Sequence, residues 1–483
     1  MEVYVGLIVI TAIYGCLIFF DTFFKTCAHY PYLRFLDGTG LEIKLLQVRW
    51  TTNAFNRFFS RLGYNQSKFL DVWFTIGLYA SLALLPVSTY LLLYSFLQSY
   101  FAVEEASTIT IEPMLPGINL PVSELGYYSL TLVICSIVHE MGHALAAVRE
   151  NVSLECVGVN AIFILPVAFV LLGTEKLFSL KNKNILKILC AGVWHNIVLS
   201  LLAFLIYSFL PHVFSSLYTI NEGVIVVNVA KNSPLLGARG LKMGDTIVGI
   251  NDCLIYNEES WVNCIKHINT RKSGFCLNGD LIRSLDESIP LKHTDNGYLD
   301  CCNADKQNNF CFEYLDEGIL KLPSHVCLPG RTVVEKATTF CSFEPHACPN
   351  NLFCFRPLVE NYTNLFKIVK SDNTNVIYSG PVTDVYRTLE VSPYIHPNIS
   401  STIPDRTMKL LRYVIVVSMG LGVINIIPCW FMDGQYIISI LGNIMLVKML
   451  GKKKTNLIVL TLTTFITFIL VTHCMQAVWN ALF

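Results

Sequence analysis

Charged residues are scarce in this chain of 483 residues. They make up only 14% of it, and 35 basic residues are balanced by 35 acidic ones. This balance excludes a broad basic surface of the kind that binds nucleic acid, so we expect no direct nucleic-acid partner. In contrast, 53% of the residues are hydrophobic, and several apolar runs are long enough to cross a bilayer. The composition therefore predicts a polytopic membrane protein.

The chain also lacks the paired C-x-x-C repeats that are typical of structural zinc sites, although it has 17 cysteines. Ten of the cysteines lie between Cys253 and Cys354, and the other seven are scattered through apolar segments. This clustering predicts disulfides formed in an oxidising compartment. Zinc binding by the ten cysteines is the less favoured alternative, and the sequence leaves their pairing open.

Hydropathy divides the chain into membrane and soluble segments. The predicted segments are residues 1–100 for the N-terminal membrane helices and a basic loop, 117–212 for the first part of a membrane core, 213–405 for a soluble region, 406–450 for the second part of the core and 455–483 for the last membrane helix. Residues 1–20 have neither a basic start nor a small-residue cleavage site, so we expect them to be retained as a membrane helix.

The distribution of charge predicts which side of the membrane each loop faces. Residues 23–70 are mostly basic where charged, whereas residues 99–124 carry glutamates and no lysine or arginine. By the positive-inside tendency, the basic loop is cytosolic and the soluble region 213–405 is lumenal. Glycosylation sequons occur on both predicted sides, at Asn65, Asn151, Asn361 and Asn398. They do not decide the topology, and the side of the N-terminus stays open.

The soluble region contains alternating strand patterns on both sides of the cysteines. Residues 223–229 and 240–251 read as strands around turn residues, and 365–369 with 376–378 could supply further strands. This pattern resembles a PDZ domain, an α+β fold whose sheet edge accepts an added peptide strand. A cysteine-rich insertion at about 253–360 would interrupt the domain.

One apolar run carries an unusual group of polar residues. Within 125–148, only His139, Glu140 and His143 titrate near neutral pH, and such groups are costly in a bilayer unless they have a function. Residues four apart share one face of a helix, so both imidazoles can bind one Zn²⁺. Glu140 beside them is then placed to act as a general base. The pattern predicts hydrolysis inside a membrane.

A third metal ligand is needed, because catalytic zinc usually has three protein ligands and one open position. The acid that fits is Asp433, which lies in an otherwise apolar stretch of residues 413–446. Pro428 should break the helix before it, and Gly434 should permit the turn that aims the carboxylate.

The segment between the first two core helices reads as a hairpin. Residues 152–170 alternate, contain Gly158, and are expected to bend around Pro166. We expect this hairpin to enter the membrane and to offer an edge strand to an extended peptide.

Three motifs together resemble the site-2 protease family, most closely its animal members. They are the H-E-x-x-H helix, the N-x-x-P-x-x-x-x-D-G segment ending at Gly434, and the sequence from Ala191 to Asn196. The resemblance covers roughly residues 117–450. Met432 stands where leucine is common in the family, a small change in volume.

The resemblance implies a fold, an activity and a set of roles. The fold would be a polytopic α-helical membrane core with the PDZ-like domain on the lumenal side. His139, His143 and Asp433 would hold one Zn²⁺ per chain, and Glu140 would be the general base. Asn196 would hydrogen-bond the substrate backbone or the oxyanion, with an interhelical contact as the alternative.

The family's substrates are single-span precursors of membrane-bound transcription factors that have already been trimmed on the lumenal side. Cleavage would release their cytosolic domains in sterol and stress signalling at the Golgi or endoplasmic reticulum. Two other functions compete with this one. A silent pseudoprotease or peptide-holding chaperone has no use for Glu140, and a zinc transporter would need polar residues along successive helices. His195 is expected to pack or hydrogen-bond rather than to bind metal.

Overall fold

The structure is a computed structural model of the chain. It describes residues 2–65, 67–101, 121–162, 165–270, 273–293, 299–303, 305, 308–315, 322–337, 339–341, 348–349, 352–360 and 363–482. The chain forms two compact units. We call Met1–Ser208 together with Lys409–Phe483 the membrane unit, and Phe209–Met408 the sheet unit. Most of the acidic stretch predicted at 99–124, and the sequon residue Asn361, lie outside the described residues.

The helices, numbered in chain order, differ widely in length. They are α1 (Glu2–Thr26), α2 (Tyr30–Thr39), α3 (Asn56–Asn65), α4 (Ser67–Phe101), α5 (Leu125–Arg149), α6 (Thr174–Ser179), α7 (Asn182–Leu217), α8 (Glu258–Thr270), α9 (Gly279–Leu285), α10 (Gly330–Lys336), α11 (Val382–Thr388), α12 (Thr402–Ile426), α13 (Asp433–Met445), α14 (Val447–Leu450) and α15 (Lys452–Leu482). A single 3₁₀ turn, Val122–Glu124, precedes α5.

The strands are mostly short. They are β1 (Leu41–Lys44), β2 (Gln47–Thr52), β3 (Leu154–Ile162), β4 (Leu165–Leu172), β5 (Val224–Val229), β6 (Thr246–Ile250), β7 (Cys253–Leu254), β8 (Gly274–Asn278), β9 (Lys292–His293), β10 (Leu299–Asp300), β11 (Asn309–Tyr314), β12 (His325–Pro329), β13 (Phe340–Cys341), β14 (Leu352–Pro357), β15 (Thr363–Lys370), β16 (Asn375–Pro381) and β17 (Leu389–Ser392).

Six helices within the described residues are long and apolar enough to cross a membrane, as the composition predicts. They are Ile8–Thr26, Lys68–Ser99, Leu125–Arg149, Asn182–Leu217, Thr402–Ile426 and Lys452–Asn480. Of these six, Leu125–Arg149 is the one most enclosed by the rest of the chain. It is α5, which carries the H-E-x-x-H residues, so the predicted catalytic helix lies at the centre of the membrane unit.

Glycines let α5 and α7 approach closely. A Cβ placed on Gly142 of α5 would lie 2.5 Å from the carbonyl oxygen of Ala191 on α7. Residues Cys135, Ala144 and Ala146 on α5 are also small and fully buried. In membranes, small residues at helix interfaces allow the backbones to pack tightly. This packing brings α7 against the metal-binding face of α5.

Polar contacts hold both ends of α5 to its neighbours. At the C-terminal end, Asp71 of α4 lies 2.7 Å from Nζ of Lys187 on α7 and 3.6 Å from Arg149 on α5. At the other end, Glu124 accepts hydrogen bonds from Lys409, at 3.0 Å, and from Tyr413, both on α12. The helix that carries the site is therefore fixed at each end.

The predicted hairpin is part of a larger sheet. Strands β1 to β4 form one antiparallel sheet in chain order, and β2 pairs along β3 from Gln47↔Ile162 to Thr52↔Val157. The segment interpreted as a basic loop is thus folded, because it supplies β1, β2, α2 and α3. The bend expected around Pro166 was also wrong. Pro166 lies inside β4, where it faces Ala161, and an edge strand tolerates its missing N–H.

The sheet unit is built around two larger sheets, and β9 pairs with β10 in a third, two-stranded sheet. The first has the order β16-β15-β6-β5-β17, with β7 also paired to β6. Strands predicted on both sides of the cysteines therefore do pair with one another, since Ile368 of β15 faces Ile250 of β6. Its core includes Val226, Ile247 and Phe366, all at most 1% exposed. The PDZ-like identity of this sheet stays a prediction.

The second sheet has the order β12-β11-β14-β8-β13 and contains most of the disulfides. All ten clustered cysteines are paired, as Cys253–Cys264, Cys276–Cys348, Cys301–Cys311, Cys302–Cys327 and Cys341–Cys354. The prediction of disulfides is confirmed, and these sulfurs are not available as zinc thiolates. The first pair joins β7 and α8, which pack on the first sheet.

We predict that disulfide mapping will find the pairs seen here rather than those suggested by strand pairing. Cys276 faces Cys354 across β8 and β14, and Cys311 faces Cys327 across β11 and β12. In the fold, however, these cysteines are bonded to other partners. Non-reducing digestion and mass spectrometry should recover Cys276–Cys348 and Cys341–Cys354, with a reduced sample as the control. A Cys276–Cys354 peptide would contradict the fold of the second sheet.

Candidate metal and active site

Three predicted metal ligands converge in the membrane unit. His139 and His143, one turn apart on α5, are 6% and 7% exposed. Their Nε2 atoms are 3.1 Å apart, and Oδ2 of Asp433 lies 3.0 Å from the first and 3.2 Å from the second. Asp433 is 294 residues from His139 in the chain. The three donor atoms therefore form a nearly equilateral triangle.

The loop before α13 aims the Asp433 carboxylate. Helix α12 ends at Ile426, and α13 begins at Asp433, so the helix break expected near Pro428 is present. A Cβ on Gly434 would lie 2.2 Å from the carbonyl oxygen of Ile427. Only glycine fits this close approach. The turn thus places the acid at the first position of α13, facing the two histidines.

Hydrogen bonds at the far side of each ring orient the two imidazoles. Nδ1 of His143 lies 2.8 Å from the carbonyl oxygen of Ile188. A carbonyl only accepts, so this nitrogen carries the proton and Nε2 keeps its lone pair. Nδ1 of His139 lies 3.2 Å from the side-chain amide of Asn196, which is fully buried. Both rings therefore have a partner on the side away from the triangle.

The donor set and the space around it fit a zinc ion. Two imidazoles and one carboxylate form a common catalytic set, and ligands on a tetrahedral Zn²⁺ lie about 3.3 Å apart when each bond is about 2.0–2.1 Å long. Gly192 of α7 leaves the necessary space. A Cβ on this glycine would lie 2.4 Å from Nε2 of His143 and 2.6 Å from Nε2 of His139. Any side chain here would occupy the position on which the two nitrogens converge.

Glu140 lies next to the triangle and contacts the neighbouring strand. Its Oε2 accepts a hydrogen bond of 3.0 Å from the backbone N–H of Val170 on β4. One turn earlier, Oγ of Ser136 accepts one of 3.1 Å from the N–H of Ala168. Four helix residues rise by about 6 Å and two strand residues by about 6.7 Å, so the two spacings match. Two side chains of α5 thus accept hydrogen bonds from consecutive backbone N–H groups on the outer edge of β4.

The sequence missed the residues that shape the site without ligating anything. Gly192 and Ser136 were not singled out, although Gly192 lies within the motif Ala191–Asn196. His195 donates from Nδ1 to the carbonyl oxygen of Ala191 at 2.8 Å and packs against Trp73. This placement matches the expectation that His195 packs and hydrogen-bonds. The roles of Glu140 and Asn196 stay proposals.

We predict that Gly192→Ala will weaken zinc binding by about 10-fold to 100-fold. The added methyl group should displace the two imidazoles that are expected to hold the ion. Bound zinc can be measured by chelator competition on the purified chain. Gly420→Ala on α12 is a matched control, since a Cβ there meets nothing within 4 Å. Wild-type zinc affinity in Gly192→Ala would show that the ion does not bind between these rings.

Comparison with known proteins agrees with this geometry. The model of peptidase family M50 matches residues 127–470. The membrane-bound transcription factor site-2 protease homolog of Arabidopsis thaliana is 34% identical over 227 residues, covering 47% of this chain and 44% of that protein. The chain therefore matches less than half the length of this curated relative. The family match spans both metal-bearing helices and most of the chain, and this chain accordingly belongs to peptidase family M50, the site-2 protease family.

Proposed function

We propose that this protein is an intramembrane zinc metalloendopeptidase of the site-2 protease type. The observation that carries the proposal is the convergence of His139, His143 and Asp433, with Glu140 beside them, among helices long enough to cross a membrane. Three protein ligands leave one coordination position open for catalysis. The membership in family M50 supports the same chemistry.

A Zn²⁺ held by His139, His143 and Asp433 would make water acidic enough to attack at neutral pH and would polarise the scissile carbonyl. Glu140 supplies the proton transfer. The oxygen that does not bind Val170 can take a proton from the attacking water and then deliver it to the nitrogen of the leaving amine. Water thus adds to the carbonyl carbon, the C–N bond breaks, and Glu140 returns to its carboxylate form.

A contact with strand β4 keeps Glu140 in place for this step. The N–H of Val170 holds one carboxylate oxygen, and the adjacent His139 and His143 are almost completely buried. A carboxylate that a neutral donor already holds needs little rearrangement when it accepts a proton. The contact with Val170 therefore keeps the base in position beside the two buried histidines.

Asn196 acts through His139 rather than on the substrate. It is fully buried, and its amide is 3.2 Å from Nδ1 of His139. In the orientation shown, its Oδ1 makes no hydrogen bond with any described residue. A half-turn of the amide would place this acceptor opposite His139. That arrangement keeps the ring proton on Nδ1 and leaves Nε2 for the metal. We therefore propose Asn196 as a positioning residue.

The substrate is expected to bind as an unwound segment along β4. A helix hides its peptide bonds in its own hydrogen bonds, whereas an extended segment can add to a sheet edge. β4 is one of the two edge strands of its sheet. The outward N–H groups of Ala168 and Val170 are, however, bound to Ser136 and Glu140. We therefore expect the substrate strand to pair with β4 in a way that leaves these two bonds in place, beside the base that Val170 holds.

The identity of the substrates rests on the family resemblance. We propose pre-trimmed, single-span precursors of transcription factors, whose cytosolic domains are released by the cut. The name of the Arabidopsis relative refers to a membrane-bound transcription factor site-2 protease. The five disulfides support an oxidising compartment for the sheet unit. A Golgi or endoplasmic reticulum membrane, with the sheet unit in the lumen, fits both the membrane-bound substrates and the oxidising compartment.

The alternative is a catalytically silent protein that binds membrane peptides without cutting them. A purely structural or binding site would gain nothing from a carboxylate next to the metal ligands. Glu140 neither belongs to the triangle nor pairs with a cation in an ion pair among the described residues. Its carboxylate lies within 4.8 Å of the ligand atoms of both histidines, and this placement favours the protease over the alternative.

We predict that Glu140→Gln will lower cleavage of a single-span substrate by about 10²-fold to 10⁴-fold while zinc binding is retained. The amide keeps the size of the side chain but cannot accept the proton. Cleavage can be followed in proteoliposomes, with zinc content measured on the same preparation. Glu155→Gln, at an exposed acid of β3, should cleave like the wild type. Equal cleavage by Glu140→Gln and wild type would reject the mechanism.

A further inference from the structure

Helix α3 presents three different faces, each defined by a pair of residues four apart. Phe59 and Gly63 pack inward, Phe59 with the core cluster that includes Leu145 of α5. Phe58 and Leu62 are exposed by 57% and 37%. Arg57 and Arg61 are exposed as well. Residues four apart share a face of a helix. The two arginines therefore form a cationic stripe that lies beside the exposed apolar stripe and opposite the packed face.

The position of α3 in the chain places it at the membrane surface. It ends at Asn65, and α4 starts at Ser67 with its membrane span from Lys68. Nδ2 of Asn56 donates to the carbonyl oxygens of Leu154 and Glu155, at 3.2 and 3.0 Å. These bonds tie the start of α3 to the sheet of the membrane unit. α3 is therefore held next to the start of the membrane span in α4 and cannot rotate freely about its own axis.

The exposed faces have the chemistry of an interfacial helix. Helices that lie on a bilayer bury an aromatic or aliphatic face in the headgroup region and carry arginine or lysine beside it. Phe55, just before the helix, is also exposed, by 51%. In addition, the segment from 23 to 70 has seven basic residues against two acidic ones, so an anionic surface is attracted to this side.

The packed face connects α3 to the catalytic helix. A Cβ on Gly63 would lie 2.5 Å from Cγ1 of Val148. Val148 lies in the last turn of α5, a little more than one turn beyond His143. Any force that presses α3 inward is thus applied to the end of the helix that carries both imidazoles and Glu140.

We propose that α3 is a docking surface for anionic phospholipid headgroups, with Arg57 and Arg61 binding the phosphates and Phe58 and Leu62 entering the acyl boundary. Lipid bound there holds α3 against the end of α5. The helix thereby couples the charge of the surrounding leaflet to the geometry of the site. The docking itself is independent of the activity, whereas its effect on cleavage rests on the proposed function.

The docking is tested by hydrogen–deuterium exchange on the full chain in nanodiscs of phosphatidylcholine, with or without phosphatidylserine. Each arginine near an anionic surface favours binding by about fivefold, so amides of α3 should exchange about fivefold to 30-fold more slowly with phosphatidylserine. R57Q/R61Q should remove this difference. R239Q/K242Q, an equal loss of exposed charge in the sheet unit, should retain it.

Four results would overturn the docking surface. One is equal exchange of α3 in both kinds of nanodisc for the wild type, and another is a full phosphatidylserine effect in R57Q/R61Q. The third is the same protection from inorganic phosphate added to pure phosphatidylcholine discs, since a free anion would then suffice. A protein retained by wild-type α3 in neutral discs, but not by R57Q/R61Q, would likewise assign the surface to a protein partner.

The coupling is tested by Gly63→Ala, whose methyl group pushes α3 away from Val148. This variant should keep the phosphatidylserine-dependent protection of α3 but lose the dependence of substrate cleavage on phosphatidylserine. If Gly63→Ala cleaves with the same lipid dependence as wild type, the coupling is wrong. If no preparation cleaves substrate while the exchange result holds, the proposed function fails and the docking surface stands.

Discussion

Burying a carboxylate and two imidazoles among membrane helices costs free energy unless every polar atom has a partner. The fold meets this constraint by bringing Asp433 within 3.2 Å of both histidine Nε2 atoms. Most other features of the membrane unit help to bring these three side chains together. Gly142 and Gly192 let α7 approach α5, Gly434 turns the chain into α13, and Ile188 and Asn196 occupy the outer nitrogens of the two rings.

The same constraint explains why the site is built on elements rather than loops. α5 is held at one end by Asp71 and at the other by Glu124, so its two imidazoles cannot separate from α7 without breaking ionic contacts. Strand β4 then fixes the base from the remaining side through Val170. Rigid surroundings on three sides keep the donor atoms preorganised, which is where most of the catalytic benefit of such a site arises.

How far the sequence predicts this protein depends on whether a feature is local. The membrane spans follow from apolar runs, and Asp433 could be found because an acid in an apolar stretch is conspicuous. Alternation also predicted the strands that became β6 and β15, although it did not predict that these two strands pair with each other. The strands β1 and β2 were not predictable, because they are short and carry charges, and because β2 pairs with β3 about a hundred residues further on.

The sequence also could not predict which side chains and backbone atoms approach each other closely in the folded chain. Gly192 lies in a recognised motif, but its role depends on where two side chains of another helix point. The disulfides show the same limit, since Cys276 and Cys354 face each other in the sheet and yet bond to other cysteines. The side-chain bonds of Ser136 and Glu140 to β4 likewise need the helix and strand spacings to match in three dimensions.

The central claim is that His139, His143 and Asp433 bind one zinc ion within the membrane unit. Zinc K-edge X-ray absorption on the purified full chain tests it directly, with Asp433→Asn as the comparison. We expect one zinc per chain, with nitrogen and oxygen ligands at about 2.0–2.2 Å, two of them imidazoles, and a changed oxygen shell in the variant. Sulfur ligands at about 2.3 Å, or a spectrum that Asp433→Asn leaves unchanged, would contradict the account.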